Sequence, residues 1–485
     1  MSDASVDYDL KTVTQIKACD YEAIRRRGRG TYGFVYEVTD KIGDIFAFKY
    51  ILPDPLYNIF GLDGLTEIDI LSRVDHPHVI HAAKVITSHN CEIDGLAVIL
   101  PLADRTLHDI IYDPHMTTDY KLPILYKLAK TLEFLHNNHI LHLDIKSTNV
   151  VLQDFTQNNP YFIDFGLSMI VDNPVIGKTD PNVRVTIDHR APELLIGGET
   201  YNAAVDIWAF GIMALYLISS RGIYNIDLVT VKPRNLYLLI VNTFSDAKIF
   251  DTLLSGVREK YRPLCKDFFT KILKIDPADR LSIQQICNHP LFDEFRVPIE
   301  GRLIESYIPH EYAGDHRNIL KIIIHWAKLI YQNCRAEMLF LAVDLFNRLD
   351  SFYKDRTPLD RMSLASTCLW MAAKLTESKL VPLDVYIPLI NGIVPDITSK
   401  SILETEVEII HLLNGILHIS KLYRECKTSN ELILSFQYII LDQDSTLYAR
   451  TDIDAWLIAM KTIMSGQNSP NTDTNKDITI SQLLA

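Results

Sequence analysis

The chain has 485 residues, a formal net charge of -13, 48% apolar residues and 22% charged ones. That length exceeds one ordinary core and implies two to four domains, or two lobes and an appendage, while the composition excludes wholesale disorder. No long basic stretch suggests nucleic-acid binding: Arg25, Arg26 and Arg27 stand directly before a glycine loop and read as strand and loop surface, a nuclear signal being the other reading.

From about Tyr21 to Leu100 the apolar runs are short and alternating, as in FVYEVTD, then KIGD as a hairpin turn, then IFAFKYI. This pattern predicts strands with one helix. From Lys121 to about Phe295 longer helical patterns take over, so a strand-rich small lobe precedes a helix-rich large one. Arg296 to Asp315 is polar, with two prolines and two glycines, and reads as a linker. Helices are then expected at 317–332, 336–350, 359–376, 382–390 and 398–417, the first three apolar on nearly every face and therefore surrounded by other helices. The tail after Gly466 is polar and expected to fray.

The expected organisation is an extension over 1–20, an α+β two-lobed domain over 21–295, a linker over 296–315, an all-α bundle over 316–420, and a partial helical extension with a flexible tail over 421–485. Seven singly scattered cysteines without a CxxC pair fit reduced thiols in a cytosolic or nuclear setting. The N-terminus lacks a basic start followed by an apolar run, and apolar segments such as Lys321 to Ile330 are too short or interrupted to span a bilayer. A soluble intracellular protein with no membrane partner is expected.

Gly28, Gly30 and Gly33 lie in GRGTYGFV between the first two expected strands. Bare backbone there lets amides close over nucleotide phosphates, although an ordinary hairpin would also use glycine. The next strand carries Lys49, which either snorkels to the surface or reaches the α and β phosphates. In the second case it needs an anionic partner, and Glu67 in LTEIDILSRV is placed to serve unless it is a solvated helix glutamate. Further along, HLDIKSTN supplies Asp144, Lys146 and Asn149, and IDFG supplies Asp164. Asp144 can accept the proton of an attacking hydroxyl, Lys146 can neutralise the transferring phosphoryl group, and Asn149 with Asp164 can hold magnesium through hard oxygens.

In this order and spacing the motifs resemble those of protein kinases, and the resemblance continues through RAPE (Arg190 to Glu193), VDIWAFG (Val205 to Gly211) and DPADRLS (Asp276 to Ser282). It implies a bilobal kinase fold over Tyr21 to Phe295 that uses ATP and magnesium, with Val35, Ala47, Leu100 and Ala103 as further nucleotide-contacting positions. It also implies that Glu193 pairs with Arg280 as a buried tie and that Asp206 braces the catalytic loop. Lys146, two places after Asp144, and Thr186 imply serine/threonine specificity.

Within the family the chain looks like the cyclin-dependent branch. GTYG places Thr31 and Tyr32 where that branch takes inhibitory phosphates, and Arg190 matches an arginine that lets a proline follow the phosphoacceptor, which implies proline-directed substrates. The branch's WYRAPE reads DHRAPE here. Its three arginines for an activating phosphothreonine are replaced by Thr66, Leu143 and Met169, and the phosphothreonine aligns with Pro181. Donor and acceptor are lost together, as expected if the charge clasp is not used. Decay of the site is the competing explanation, but Lys49, Glu67, Asp144, Asn149 and Asp164 all persist.

The segment from about Arg317 to Leu417 resembles a cyclin box, a compact helical bundle of another kind being the alternative. Lys374 in AAKLTE and Glu406 in ILETEVEIIHLL fall where cyclins keep a lysine and a glutamate that grip the kinase's regulatory helix, though either could be an ordinary surface charge. The resemblance implies an intramolecular kinase–cyclin contact that activates the kinase in cis. Two other readings stay open: a catalytically weak scaffold whose cyclin box recruits a separate kinase, and an active kinase whose helical domain only recruits substrates.

Overall fold

The computed structural model describes residues 12–417 except 31–32, 52–61, 89–90, 92, 94, 114, 153–158, 172–173, 175–177, 180–185, 199, 222, 224–230, 247, 305–315, 332–335, 377–379 and 392–395. Thr31, Tyr32, Pro181, much of the expected linker and the whole of the expected 421–485 extension lie outside the described residues. The chain divides into two compact units, one formed by 1–50, 66–84 and 98–304 and the other by 51–65, 85–97 and 305–485.

The small lobe grows from a hairpin of β1 (Glu22–Gly30) and β2 (Gly33–Thr39), paired so that Gly30 faces Gly33 and Gly28 faces Val35. Two register shifts in this pair, between Ala23 and Arg25 and between Arg26 and Gly28, bend the ribbon at its arginines. The turn expected at KIGD is present before β3 (Ile45–Ile51): Asp40 Oδ1 accepts the amides of Ile42 at 3.0 Å and Asp44 at 2.9 Å, and Gly43 takes φ 96°, which a β-carbon would strain. After β3 comes α1 (Leu62–Arg73), followed by the two-residue β4 (Val74–Asp75), β5 (Lys84–Ile86) and β6 (Leu96–Pro101). The sheet order is β1-β2-β3-β6-β5, and Leu65, Ile68, Ile70 and Leu71 of α1 are fully buried.

In the large lobe, α2 (Thr118–Asn137) buries Leu122, Leu125, Leu128, Leu132 and Leu135 at three- and four-residue steps, which is why this stretch is helical and faces the core. Asn202 caps α3 (Ala203–Ser219) by accepting the Ala204 amide at 3.0 Å. This helix is buried almost throughout, and a β-carbon on Gly211 would lie 2.8 Å from Leu273 Cδ2, so close packing there requires the glycine. Helices α4 (Pro233–Phe244) and α5 (Arg262–Ile272) complete the packing.

The all-α bundle contains α6 (His316–Ile330), α7 (Ala336–Leu349), α8 (Pro358–Thr376), α9 (Leu383–Asn391) and α10 (Ser399–Leu412). In the central α8 every residue from Leu364 to Thr376 is buried, which suits its small Ala365, Ser366, Ala372 and Ala373. The expectation that all three first helices are surrounded fails for α6. It buries Ile319, Leu320, Ile323, Trp326 and Ala327 on one face but exposes His325 and Leu329, because its apolar residues cluster at helical spacing on one side. Arg348 of α7 closes the bundle by donating to the carbonyls of Ile416 at 2.9 Å and Leu417 at 2.8 Å.

The expectation of reduced thiols throughout is also corrected. Cys19 and Cys91 are disulfide-bonded, whereas Cys265, Cys287 and Cys368 are buried free thiols. Single spacing along the chain does not reveal which cysteines the fold brings near another. Among the described residues, no helix is long and apolar enough to cross a membrane.

Candidate active site

Ala47 and Lys49 point from the same face of β3 because side chains alternate along a strand, while Phe48 between them is buried in the core. Lys49 Nζ donates to Glu67 Oε1 at 2.5 Å and to Asp164 Oδ1 at 3.1 Å. Glu67 is 1% exposed, so neither bland reading, the snorkelling lysine nor the solvated glutamate, describes this pair. Burial alone would lower the Lys49 pKa, but the carboxylates of Glu67 and Asp164 outweigh it and the net shift is upward, so Lys49 stays charged. For Asp164, burial pushes the pKa up, and the ammonium of Lys49 overcomes it to hold the carboxyl below its usual range. Asp164 sits at φ 63°, a left-handed conformation that aspartate tolerates better than most side chains.

The catalytic-loop residues meet around one carboxylate. Asp144 Oδ2 accepts from Lys146 Nζ and from Asn149 Nδ2, each at 2.7 Å, and Asp144 Oδ1 accepts from the Thr186 hydroxyl. Lys146 Nζ also donates to Thr186 Oγ1 at 3.1 Å. The loop is rigid because Asp206 of α3 accepts the amides of His142 and Leu143, both at 2.8 Å, and also bonds His136 Nε2 at 3.0 Å. The expected tie is present as a two-pronged contact, Arg280 to Glu193 at 2.8 and 2.7 Å.

A fit for magnesium can be judged from the donors present. Asn149 spends its amide NH2 on Asp144, which leaves its carbonyl oxygen as the atom to offer a cation, and the Asp164 side chain is 43% exposed. Hard oxygens of this kind suit magnesium. The Ile163 amide donates to the main-chain carbonyl of Asn149 at 3.0 Å, which ties the two donor segments together. A β-carbon added at Gly28 would meet nothing within 4 Å, so no protein neighbour demands that glycine. Gly30 and Gly33 face each other beside it, and Val35 on β2, Leu100 at the end of β6 and Ala103 just after it occupy the remaining expected positions.

Where the phosphothreonine clasp would stand, Thr66 and Leu143 are buried and Met169 lies in a short strand paired with Leu141. Lys374 of α8 and Glu406 of α10 are brought together: both are buried, and Lys374 Nζ donates to Glu406 Oε1. Burial acts first on each, pulling the lysine pKa down and pushing the glutamate pKa up, and the partner's charge opposes both shifts.

His142 stands in the HLDIKSTN motif, but its packing was not expected from the sequence, nor were the contacts made by Ser168 and Trp208. His142 is buried between Phe162 and Phe165, and burial lowers its pKa, so it packs as a neutral ring. Ser168 donates to the His142 carbonyl at 3.0 Å, and the Arg280 guanidinium lies 5.1 Å from the Trp208 ring. His136, which bonds Asp206, carried a signal of its own as a histidine near the end of the apolar face of a long helix.

A five-stranded lobe over a helical lobe, with a lysine–glutamate pair and an aspartate–lysine–asparagine loop, defines the protein kinase class of fold. Residues 21–292, more than half of the chain, match the protein kinase domain family, and the chain belongs to that family. Residues 303–418 match the cyclin N-terminal domain. Similar proteins include cyclin-dependent kinase G-1 of Oryza sativa subsp. indica, 26% identical over 59% of this chain and 45% of the rice protein. Cyclin-dependent kinase 10 of Homo sapiens is 27% identical over 62% of this chain and 85% of its own length. The serine/threonine-protein kinase ppk23 of Schizosaccharomyces pombe is 26% identical over 65% and 83% respectively. The chain thus spans less than half of the rice protein's length.

Proposed function

We propose that the chain is an ATP- and magnesium-dependent protein serine/threonine kinase, proline-directed, activated in cis by its cyclin-like domain and independent of an activation-loop phosphate. The observation that carries the reading is the set of bonds on Asp144 and Lys49. Asp144 is held by Lys146 and Asn149, its carboxylate ready to take the proton of a serine or threonine hydroxyl. Lys146 neutralises charge on the transferring phosphoryl group, and Lys49, oriented by Glu67, holds the α and β phosphates. Asn149 and Asp164 would hold magnesium, which supplies charge neutralisation along the phosphates.

Independence from an activating phosphate rests on the missing arginines: Thr66, Leu143 and Met169 offer no cationic clasp, yet the Lys49–Glu67 pair stands closed at 2.5 Å. Arg190 before APE supports proline-directed substrates. Activation in cis is supported by covalent attachment. Tethering on one chain raises the effective concentration to about millimolar. Lys374 and Glu406 are the residues proposed to grip the regulatory-helix region.

Radiolabelled phosphate transfer from ATP onto serine/threonine-proline peptides tests the catalytic reading. Transfer by the full chain that disappears in Asp164→Asn is expected. Full function retained in that variant would favour the scaffold reading instead.

A further inference from the structure

We infer that the stretch Gly301–Ile304, expected from its composition to be part of a plain linker, is a strap that positions the Glu67 helix. The inference rests on the kinase reading and adds a positioning element to the same site. Arg302 and Leu303 form a short antiparallel strand on β4, Arg302 facing Asp75 and Leu303 facing Val74. The Ile304 amide donates to the carbonyl of Arg73, the last residue of α1, at 2.6 Å. That carbonyl is one of the four at a helix end that have no partner within the helix. Arg302 Nε adds a contact to Asp75 at 2.8 Å.

The approach is close and specific. A β-carbon on Gly301 would lie 2.5 Å from His76 Cδ2 and 3.0 Å from its Cβ, so only glycine lets the strap lie against the segment leaving α1. His76 is itself buried, with its ring 4.9 Å from that of Phe134 in α2. The strap's other end is anchored on the large lobe, where Tyr126 of α2 donates to the Val297 carbonyl at 3.4 Å and Arg296 donates to the Asn288 carbonyl at 2.8 Å. Among the described residues, β4 pairs with no other strand.

The consequence follows from helix geometry. Glu67 and Arg73 lie six residues apart in one helix, about 9 Å along its axis at about 1.5 Å per residue. A rigid helix transmits any shift of its C-terminal end to Glu67, and hence to the contact with Lys49. The strap links that end to the large lobe, so it opposes swinging of α1 and keeps the pair closed. Gly301, Arg302 and Ile304 are therefore positioning residues.

The test uses the full chain. Ile304→Pro removes the donor to Arg73, and Gly301→Val forces the strap off His76. Amide hydrogen exchange is followed in α1 and, as reference, in α5. Both variants should exchange about fivefold or more faster at 67–73 with α5 unchanged, and the KM for ATP should rise more than kcat falls. Arg302→Asp should show the same in weaker form, and adding Asp75→Arg should restore slow exchange. Unchanged exchange in α1 in both single variants, or faster exchange everywhere, overturns the inference. Because exchange needs no catalysis, a chain that transfers no phosphate defeats the kinase reading while the strap is still decided.

Discussion

At the scale of single residues, the site works through charges that the fold holds in place. Asp144→Asn removes the proton acceptor but keeps the bonds from Lys146 and Asn149 within reach, so phosphate transfer should fall by about 100-fold or more. Nucleotide affinity, measured with a fluorescent ATP analogue, should stay within about twofold of the parent. Arg280→Ala leaves Glu193 without its two-pronged partner and removes a guanidinium that also bonds the carbonyls of Ala204, Lys274 and Ile275. It should cost about 3 kcal/mol or more in a urea unfolding experiment. Both aspartates and both lysines were legible in the sequence because their chemistry needs particular side chains at particular spacings, whereas the Glu193–Arg280 tie was reached only through the resemblance to protein kinases. The stacking of His142 against Phe162 and Phe165 was not, since aromatic packing leaves no spacing rule between residues about twenty apart.

The buried histidines His76 and His78 give a pH prediction at the same scale. Burial lowers the pKa of each from 6.5 to about 4, and His78 Nδ1 lies 3.0 Å from the Pro160 carbonyl. A depressed pKa in the folded state means the unfolded chain binds more protons between about pH 6.5 and 4. Stability should therefore be fully present above pH 6.5 and be lost as the pH falls through that window. Urea unfolding at pH 5 against pH 7 should show a loss of about 3 to 4 kcal/mol from this pair. Replacing His78 by Gln should remove roughly half of that dependence, and an unchanged slope would contradict the assignment.

At the scale of elements, the hairpin turn at Asp40 to Asp44 and the helices of the bundle were readable because local chemistry decides them: an aspartate collecting two amides, a glycine at positive φ, apolar residues at helical steps. The strand Arg302–Leu303 was hidden, because a two-residue pairing with Val74–Asp75 depends on a partner more than two hundred positions away. The one-sided burial of α6 was missed although its buried residues recur at helical steps on one side, because a high apolar content masks that spacing. The Lys374–Glu406 pair crosses from α8 to α10 and is fully enclosed. Breaking one side, with Lys374→Met, should cost about 3 to 5 kcal/mol by leaving a buried carboxylate alone, while Lys374→Met with Glu406→Leu should recover most of it. A double variant as unstable as the single one would show that the cost lies in losing the pair itself and not in a lone buried carboxylate.

At the scale of the whole molecule, a kinase domain and a cyclin N-terminal domain lie on one chain. Taken together, the proposed function requires that this chain transfer phosphate without outside help. Its most direct test is transfer onto serine/threonine-proline peptides by purified full chain, treated with phosphatase and shown by mass spectrometry to carry no phosphate between Thr179 and Thr186. Transfer at undiminished rate, lost in Asp164→Asn, is expected. Inactivity until that segment is phosphorylated, or until a separate cyclin is added, would contradict it.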